Sequence, residues 1–195
     1  MTQATAKKWM TEAEFLALPD DGVRRWLIGG EVREYGLVEP GMSVRVPEHG
    51  RATARISQLL GNWLDTQPSP RGEIVAGDVG FRFSGESGNV VGLDVAYIDA
   101  DLASQSPEVK LLEGIPILAV DVLSPHDTMG FIWDRVKILL TAGVKVVWII
   151  DLYDQIVRVR RKGLSAQTFD TTQELTAEPE LPGFRVPVLS LFSRG

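Results

Sequence analysis

Two aspartates each stand alone within an apolar stretch whose composition is typical of a buried β-strand. Asp121 interrupts Ile-Leu-Ala-Val-Asp-Val-Leu at 117–123, and Asp94 interrupts Gly-Leu-Asp-Val-Ala-Tyr-Ile at 92–98. An ionised carboxylate in such a strand is costly unless it is paired or binds a metal ion. Two of them on adjacent strands provide oxygen ligands for a divalent cation that could assist phosphodiester hydrolysis. The alternative for each is a core carboxylate satisfied by hydrogen bonds, or a strand-end residue near water.

The segment around Asp121 is predicted to form a strand, a helix and a second strand. Pro125 ends the first strand, because proline donates no ladder hydrogen bond and restricts the residue before it. The pattern that follows predicts a helix over about 129–142 that ends at Gly143, and then a buried strand over 144–150. Two buried strands joined by a helix form a βαβ unit with parallel strands.

Four further elements are predicted ahead of this unit. A capping-box pattern begins a short helix, and two consecutive glycines mark the turn of a hairpin. A long amphipathic helix and a second hairpin follow. In chain order the ranges are 11–18 for the short helix, 24–28 and 31–35 for the first hairpin, 50–65 for the long helix, and 73–83 and 90–98 for the second hairpin. The pattern predicts an α/β (α+β) fold with a mixed central β-sheet flanked by helices.

The bulk composition bounds the class of protein. The 195 residues fit one compact domain, predicted over 11–195 after a flexible lead-in at 1–10. The absence of cysteine excludes disulfides and thiolate metal sites. No apolar run has the length of a signal peptide core or a membrane span, so we expect no membrane partner and a cytoplasmic location. The net charge of −6 disfavours a passive nucleic-acid binder, although metal ions and a local basic face could offset the repulsion in a nuclease.

Two other features have both a chemical and a structural interpretation. His49 opens the long predicted helix, where it could lie near a substrate or form a helix-start hydrogen bond. Arg158, Arg160, Arg161 and Lys162 form a basic run. Charges that protect an exposed edge strand are the favoured interpretation of this run, and contact with a DNA backbone is the second.

Five motifs together resemble the Uma-type family of restriction endonucleases, within the PD-(D/E)XK nuclease superfamily. They are MTEAEFLALPDDGVRRWLIGGEV at 10–32, the helix start at 49–50, GLDVAYI at 92–98, ILAVDVLSPHDT at 117–128 and RVKILLTAGVKVVWIID at 135–151. Each motif is weak alone, but their order and spacing are fairly specific over nearly the whole chain. The resemblance implies a restriction-endonuclease-like fold with Mg²⁺ or Mn²⁺ at the strand ends, DNA as the partner, and assembly as a homodimer.

The family's acidic set and its lysine map, by this resemblance, onto Trp26, Asp94, Asp121 and Arg135. Only Asp94 matches the family pattern, and Asp121 is one methylene shorter than the family's glutamate. Trp26 cannot bind a metal ion. Arg135 stays protonated, so it could hold a scissile phosphate but could not act as a general base. By similarity to the superfamily, the backbone carbonyl of Val122 would be an extra metal ligand.

Neighbouring residues do not simply replace the groups that are missing. Glu31 lies across the hairpin turn from Trp26, and Lys137 faces the opposite side of the helix from Arg135. Trp26 shares a strand face with Arg24, and we expect it either to fill the site pocket or to pack beside it.

Two functions remain open. The first is a divalent-metal-dependent endonuclease that hydrolyses DNA phosphodiester bonds, in which Asp94 and Asp121 bind the ion and Arg135 orients the phosphate. The second is a catalytically inactive relative that keeps the fold as a binding or assembly module. The substitutions at positions 26, 121 and 135 are the features that discriminate between them.

Overall fold

The computed structural model describes residues 9–19, 21–35, 46–83, 88–105, 109–125 and 127–193, so most of the expected lead-in lies outside the described residues. The helices within these ranges are α1 (Glu12–Leu16), α2 (Pro47–Leu64), α3 (Ala100–Ala103), α4 (Met129–Ala142) and α5 (Leu189–Phe192). The strands are β1 (Arg24–Ile28), β2 (Glu31–Tyr35), β3 (Glu73–Phe83), β4 (Asn89–Ile98), β5 (Leu112–Glu113), β6 (Leu118–Val122), β7 (Val146–Asp151), β8 (Ile156–Arg161), β9 (Gln167–Phe169), β10 (Glu174–Thr176) and β11 (Arg185–Pro187). None of the described helices is long and apolar enough to cross a membrane.

The strands β1 to β9 form one mixed sheet in the order β2-β1-β4-β6-β7-β8-β9, with β3 pairing β4 and β5 beside this path. β6 and β7 run parallel, whereas β4–β6 and β7–β8 are antiparallel ladders. β10 and β11 form a separate two-stranded sheet. The predicted mixed sheet, its two hairpins and its parallel pair are confirmed.

Different helices cover the two faces of the sheet. Leu118, Val120 and Val122 of β6 pack in one apolar cluster with α2 and the C-terminal elements. Ala119 packs in a second cluster, which contains the apolar face of α4. Because side chains alternate along a strand, Asp121 lies on the α4 face with Ala119.

The helix boundaries have local causes. The Thr128 side chain accepts a hydrogen bond from the Phe131 N–H at 3.3 Å at the start of α4, and Gly143 ends the helix with φ of +116°. α2 begins at Pro47, earlier than predicted, because proline lacks the N–H that a first helical turn leaves unpaired.

Two glycines should respond in opposite ways to substitution by alanine. A Cβ at Gly61, inside α2, would meet no atom within 4 Å. Gly61→Ala should therefore raise the free energy of unfolding by about 0.5–1 kcal/mol. A Cβ at Gly72 would lie 1.7 Å from the Ile98 backbone oxygen, so Gly72→Ala should lower the same quantity. Urea denaturation measures both variants, and a destabilised Gly61→Ala protein would contradict this description of α2.

Candidate functional site

The two lone aspartates lie opposite each other near the centre of the sheet. β4 and β6 pair with Val95 opposite Val120, so the same register places Asp94 opposite Asp121, one residue beyond that pair. Side chains opposite each other in an antiparallel ladder project from the same face. Both residues are buried, with exposed fractions of 2% and 3%. The sheet therefore brings the two predicted site carboxylates together.

A guanidinium from the first hairpin lies between these carboxylates. Arg24 Nη1 donates to Asp121 Oδ1 at 2.7 Å, and Arg24 Nη2 lies 3.3 Å from Asp94 Oδ1. Nη2 also donates to the backbone oxygen of Gly92 at 3.2 Å. One buried side chain of β1 therefore joins β4 and β6.

A second guanidinium reaches the cluster from α4. Arg135 Nε donates to Asp121 Oδ2 at 2.8 Å, and Arg135 Nη2 lies 2.7 Å from the same oxygen. Its Nη1 donates to Asp127 Oδ1 at 2.6 Å. Asp127 Oδ2 accepts a hydrogen bond from the Ser124 N–H at 2.8 Å. These bonds tie the start of α4 to the end of β6.

Asp94 interacts with three different groups. Its Oδ2 accepts a hydrogen bond from the Val122 N–H at 2.8 Å, and its Oδ1 faces Arg24 and also His49 Nε2, the latter at 3.6 Å. Burial opposes ionisation of this carboxyl. The positive charge of Arg24 and the contacts with His49 and Val122 outweigh that effect and hold the pKa of Asp94 well below its ordinary value. Asp94 is therefore ionised at neutral pH.

The cluster thus contains two cations and three anions, which are Arg24, Arg135, Asp94, Asp121 and Asp127. Burial disfavours the charged form of both guanidinium groups. The neighbouring carboxylates outweigh this effect and raise the pKa of Arg24 and of Arg135 above the ordinary arginine value. Both side chains remain charged, so neither can accept a proton from water.

Trp26 packs beside the cluster and not between its carboxylates. The indole N–H donates to the Gly92 backbone oxygen at 3.2 Å, and the ring makes an edge contact with Tyr35 at a centroid distance of 5.3 Å. The Arg24 guanidinium carbon lies 6.0 Å from the Trp26 ring centroid. Trp26 was expected either to fill the site pocket or to pack beside it, and in the structure it packs beside it.

Protein groups already engage all four carboxylate oxygens of the two central aspartates. Their partners are Arg24, Arg135, Val122 and His49. Among the described residues, no group of three or more His, Cys, Asp or Glu side chains is arranged to hold a metal ion. As arranged here, the donor set does not fit a divalent cation unless Arg24 moves. The metal-ligand roles of Asp94, Asp121 and Val122 stay predictions.

Two members of this cluster, Arg24 and Asp127, are not among the site residues predicted from the sequence. A signal for Arg24 was present, because strand alternation places it on the same buried face of β1 as Trp26. A buried arginine requires a carboxylate partner, so that pattern could have linked Arg24 to the lone aspartates. Glu31, the other acidic candidate, pairs with Ile28 at the turn end of the hairpin.

Known proteins resemble this chain in sequence pattern and in fold. A family model described as Uma2, putative restriction endonuclease, matches residues 13–189. The crystal structure of a putative nuclease belonging to DUF820 from Anabaena variabilis ATCC 29413 matches with a TM-score of 0.73. The sequence identity is 16%, and the match covers 94% of this chain and 97% of that chain, so this likeness concerns the fold alone. No curated protein matches the chain.

Asp94→Asn should destabilise the fold by about 3–5 kcal/mol at neutral pH, because Arg24 would lose a buried counter-charge. A carboxyl whose pKa is depressed by folding stabilises the protein above its unfolded pKa of about 3.9, and this contribution is lost as the pH falls towards the folded pKa. The difference between variant and wild type should therefore shrink on acidification. Urea denaturation at neutral and acidic pH measures it.

The matched control for this experiment is Asp65→Asn. Asp65 forms a surface pair with Arg71 at 3.3 Å, and its side chain is 76% exposed. The control should change the free energy of unfolding by about 1 kcal/mol or less. Equal losses in the two variants would contradict the buried, paired role of Asp94.

Proposed function

This chain belongs to the Uma2 family, whose description is putative restriction endonuclease, and we propose that it uses the nuclease fold as a binding module without hydrolytic activity. In this proposal, Arg24 takes the place of the divalent cation that the family resemblance implies between the acidic side chains. One observation supports it above all others: the Arg24 guanidinium lies within 3.3 Å of both Asp94 and Asp121.

A guanidinium supplies positive charge but not the chemistry of a metal ion. It neutralises neighbouring carboxylates and donates hydrogen bonds in one plane. It has no coordination position for water, so it does not acidify a bound water as a metal ion does. A site with Arg24 between its two aspartates is therefore stable but has no activated nucleophile.

Exchange of Arg24 for a metal ion would carry a large free-energy cost. The guanidinium would lose two carboxylate partners and the Gly92 backbone oxygen, and breaking one buried ion pair costs about 3–5 kcal/mol. Its raised pKa means that Arg24 would not leave the cluster as a neutral group. The incoming ion would also compete with the Val122 N–H and Arg135 for the remaining oxygens.

The burial of the cluster also favours a role without hydrolysis. Arg135 is 0% exposed, and its donors already contact Asp121 and Asp127. To orient a phosphate, Arg135 would have to become accessible and release one of these carboxylates. A closed cluster of this kind links β1, β4, β6 and α4 and does not present its charges to a substrate.

A Mg²⁺- or Mn²⁺-dependent endonuclease acting on DNA is the second candidate function. It is favoured by the position of Asp94 opposite Asp121, because one cation could contact both carboxylates if the Arg24 side chain turned away. In that case the Val122 carbonyl would be a further ligand and Arg135 would contact the phosphate. A cytoplasmic homodimer stays a prediction for either function.

Arg24→Ala should create a site for a divalent cation, because two buried carboxylates would face each other without a charge between them. In EDTA the variant should melt several degrees below wild type. Millimolar Mn²⁺ should raise the Tm of the variant and leave that of wild type nearly unchanged. Scanning calorimetry measures both, and the double variant Arg24→Ala/Asp94→Asn, which lacks one carboxylate, should lose most of the Mn²⁺ effect. An equal Mn²⁺ effect on wild type would count against the proposal.

Cleavage of plasmid DNA separates the two candidate functions. We expect weak or no cleavage by wild type with Mg²⁺ or Mn²⁺. The combination Arg24→Ala, Trp26→Glu, Asp121→Glu and Arg135→Lys should raise cleavage, because it removes the internal cation and restores three family groups together. Robust wild-type cleavage that Asp94→Ala abolishes would show that the binding-module proposal is wrong and would establish the second function.

A further inference from the structure

An open groove of about 440 Å³ runs between α4 and the end of β8, and its lining includes no residue of the buried cluster. Trp133 and Lys137 lie four residues apart on α4 and therefore share a helix face, whereas Arg135 points to the cluster. The lining of the groove includes Trp133, Lys137, Leu140, Arg160, Lys162 and Leu164. The groove combines basic and apolar side chains.

Within the described part of the chain, the ion pairs at this end of β8 belong to Arg158 and Arg161, and none joins a carboxylate to the groove cations Lys137, Arg160 and Lys162. Arg160 Nε is also buried without a hydrogen-bond partner. Arg161, at the same place, is neutralised by Glu180 at 2.9 Å. The groove therefore carries uncompensated positive charge, although the chain as a whole has a net charge of −6.

Asp134 lies one helical turn before Lys137 and interacts with it electrostatically, but the Asp134 carboxylate already has two hydrogen-bond partners on β2. One of its oxygens accepts a hydrogen bond from Arg33 at 2.5 Å, and the other accepts one from the Tyr35 hydroxyl at 2.7 Å. Arg33 and Tyr35 therefore hold the Asp134 carboxylate on the side of β2, and Asp134 does not line the groove.

Trp133 gives the groove an accessible aromatic surface. Its exposed fraction is 39%, and Leu164 beside it is 63% exposed. The Arg160 guanidinium carbon lies 4.5 Å from the Trp133 ring centroid, which is a cation–π contact. An indole face held among cations is the combination that binds an unpaired base together with its phosphates.

We propose that this groove binds single-stranded nucleic acid, with Lys137, Arg160 and Lys162 facing the phosphates and a base stacked on Trp133. The bases of a duplex are stacked inside the helix, so the indole could not reach them. An acidic peptide would use the cations but would not need the aromatic face. The proposal rests on the proposed function in one respect, since it names a ligand for the binding module. Its contacts lie outside the Arg24 cluster, so either proposal can fail without the other.

Fluorescence anisotropy with a labelled oligothymidylate of about 15 nucleotides, in EDTA and low salt, tests the phosphate contacts. Wild type should bind the single strand more tightly than a duplex of the same length. Lys162→Glu should weaken binding by about tenfold and make the salt dependence less steep. The matched control is Lys110→Glu, since Lys110 is also an exposed lysine but lines a different cavity, and it should change the Kd by less than about twofold. Equal changes in Kd for Lys162→Glu and Lys110→Glu, or no binding of the oligonucleotide by wild type, would overturn the proposal.

The stacking contact is tested by two substitutions of Trp133. Trp133→Ala should weaken binding by about tenfold, whereas Trp133→Phe should keep binding within about threefold of wild type. Thermal melting establishes that both variants fold. Unchanged binding by Trp133→Ala, or equal affinity for single strand and duplex, would reject single-stranded nucleic acid as the ligand. EDTA suppresses metal-dependent cleavage, so these results do not depend on whether the protein hydrolyses DNA.

Discussion

The buried contacts of Arg24 with Asp94 and Asp121 attach the first hairpin to the rest of the sheet. β1 and β4 share one backbone pair, which is too little to fix the position of the hairpin. At the other end of β1, Arg24 and Trp26 both donate to the Gly92 backbone oxygen of β4, and Arg24 continues to Asp121 on β6. Side-chain hydrogen bonds from Arg24 and Trp26 therefore join β1 to β4 in addition to the single backbone pair. Arg24 is therefore one of the side chains that hold β1 beside β4, together with Trp26 and with Asn89, which accepts a hydrogen bond from the Gly29 N–H at 2.7 Å.

The same guanidinium reduces the repulsion between the two facing carboxylates of Asp94 and Asp121 in the apolar sheet. Two buried carboxylates that face each other stay ionised together only when cations neutralise them, since otherwise one of the two takes up a proton. In the proposed function that cation is covalently part of the chain, so neither the stability of the fold nor the ionisation of Asp94 depends on the supply of a metal. The second guanidinium, on Arg135, donates hydrogen bonds to Asp121 and Asp127 and positions α4.

α4 links this closed interior to the surface. Its residue Arg135 completes the buried cluster, whereas Trp133 and Lys137 line the groove on the side next to β8. The groove proposal therefore places binding on the outer face of α4, and the proposed function leaves a structural role to the strand ends. Arg160 stacks on Trp133, and β8 is joined to β7 along its length, so the groove rests on rigid elements of the main sheet.

The sequence by itself determined most local elements, because periodicity, turn glycines and caps act over a few residues. The glycine turn of the first hairpin and Gly143 after α4 are examples. It also singled out Asp94 and Asp121, since a carboxylate in an apolar strand is conspicuous in any fold. Only the tertiary structure decided what neutralises them. Arg24 lies 97 residues before Asp121 and reaches it because β1 lies next to β4 in the sheet. Strand order of this kind arises from long-range pairing, which local patterns leave open. The alternation of β1 therefore marked Arg24 as a buried arginine but did not show which carboxylates it contacts.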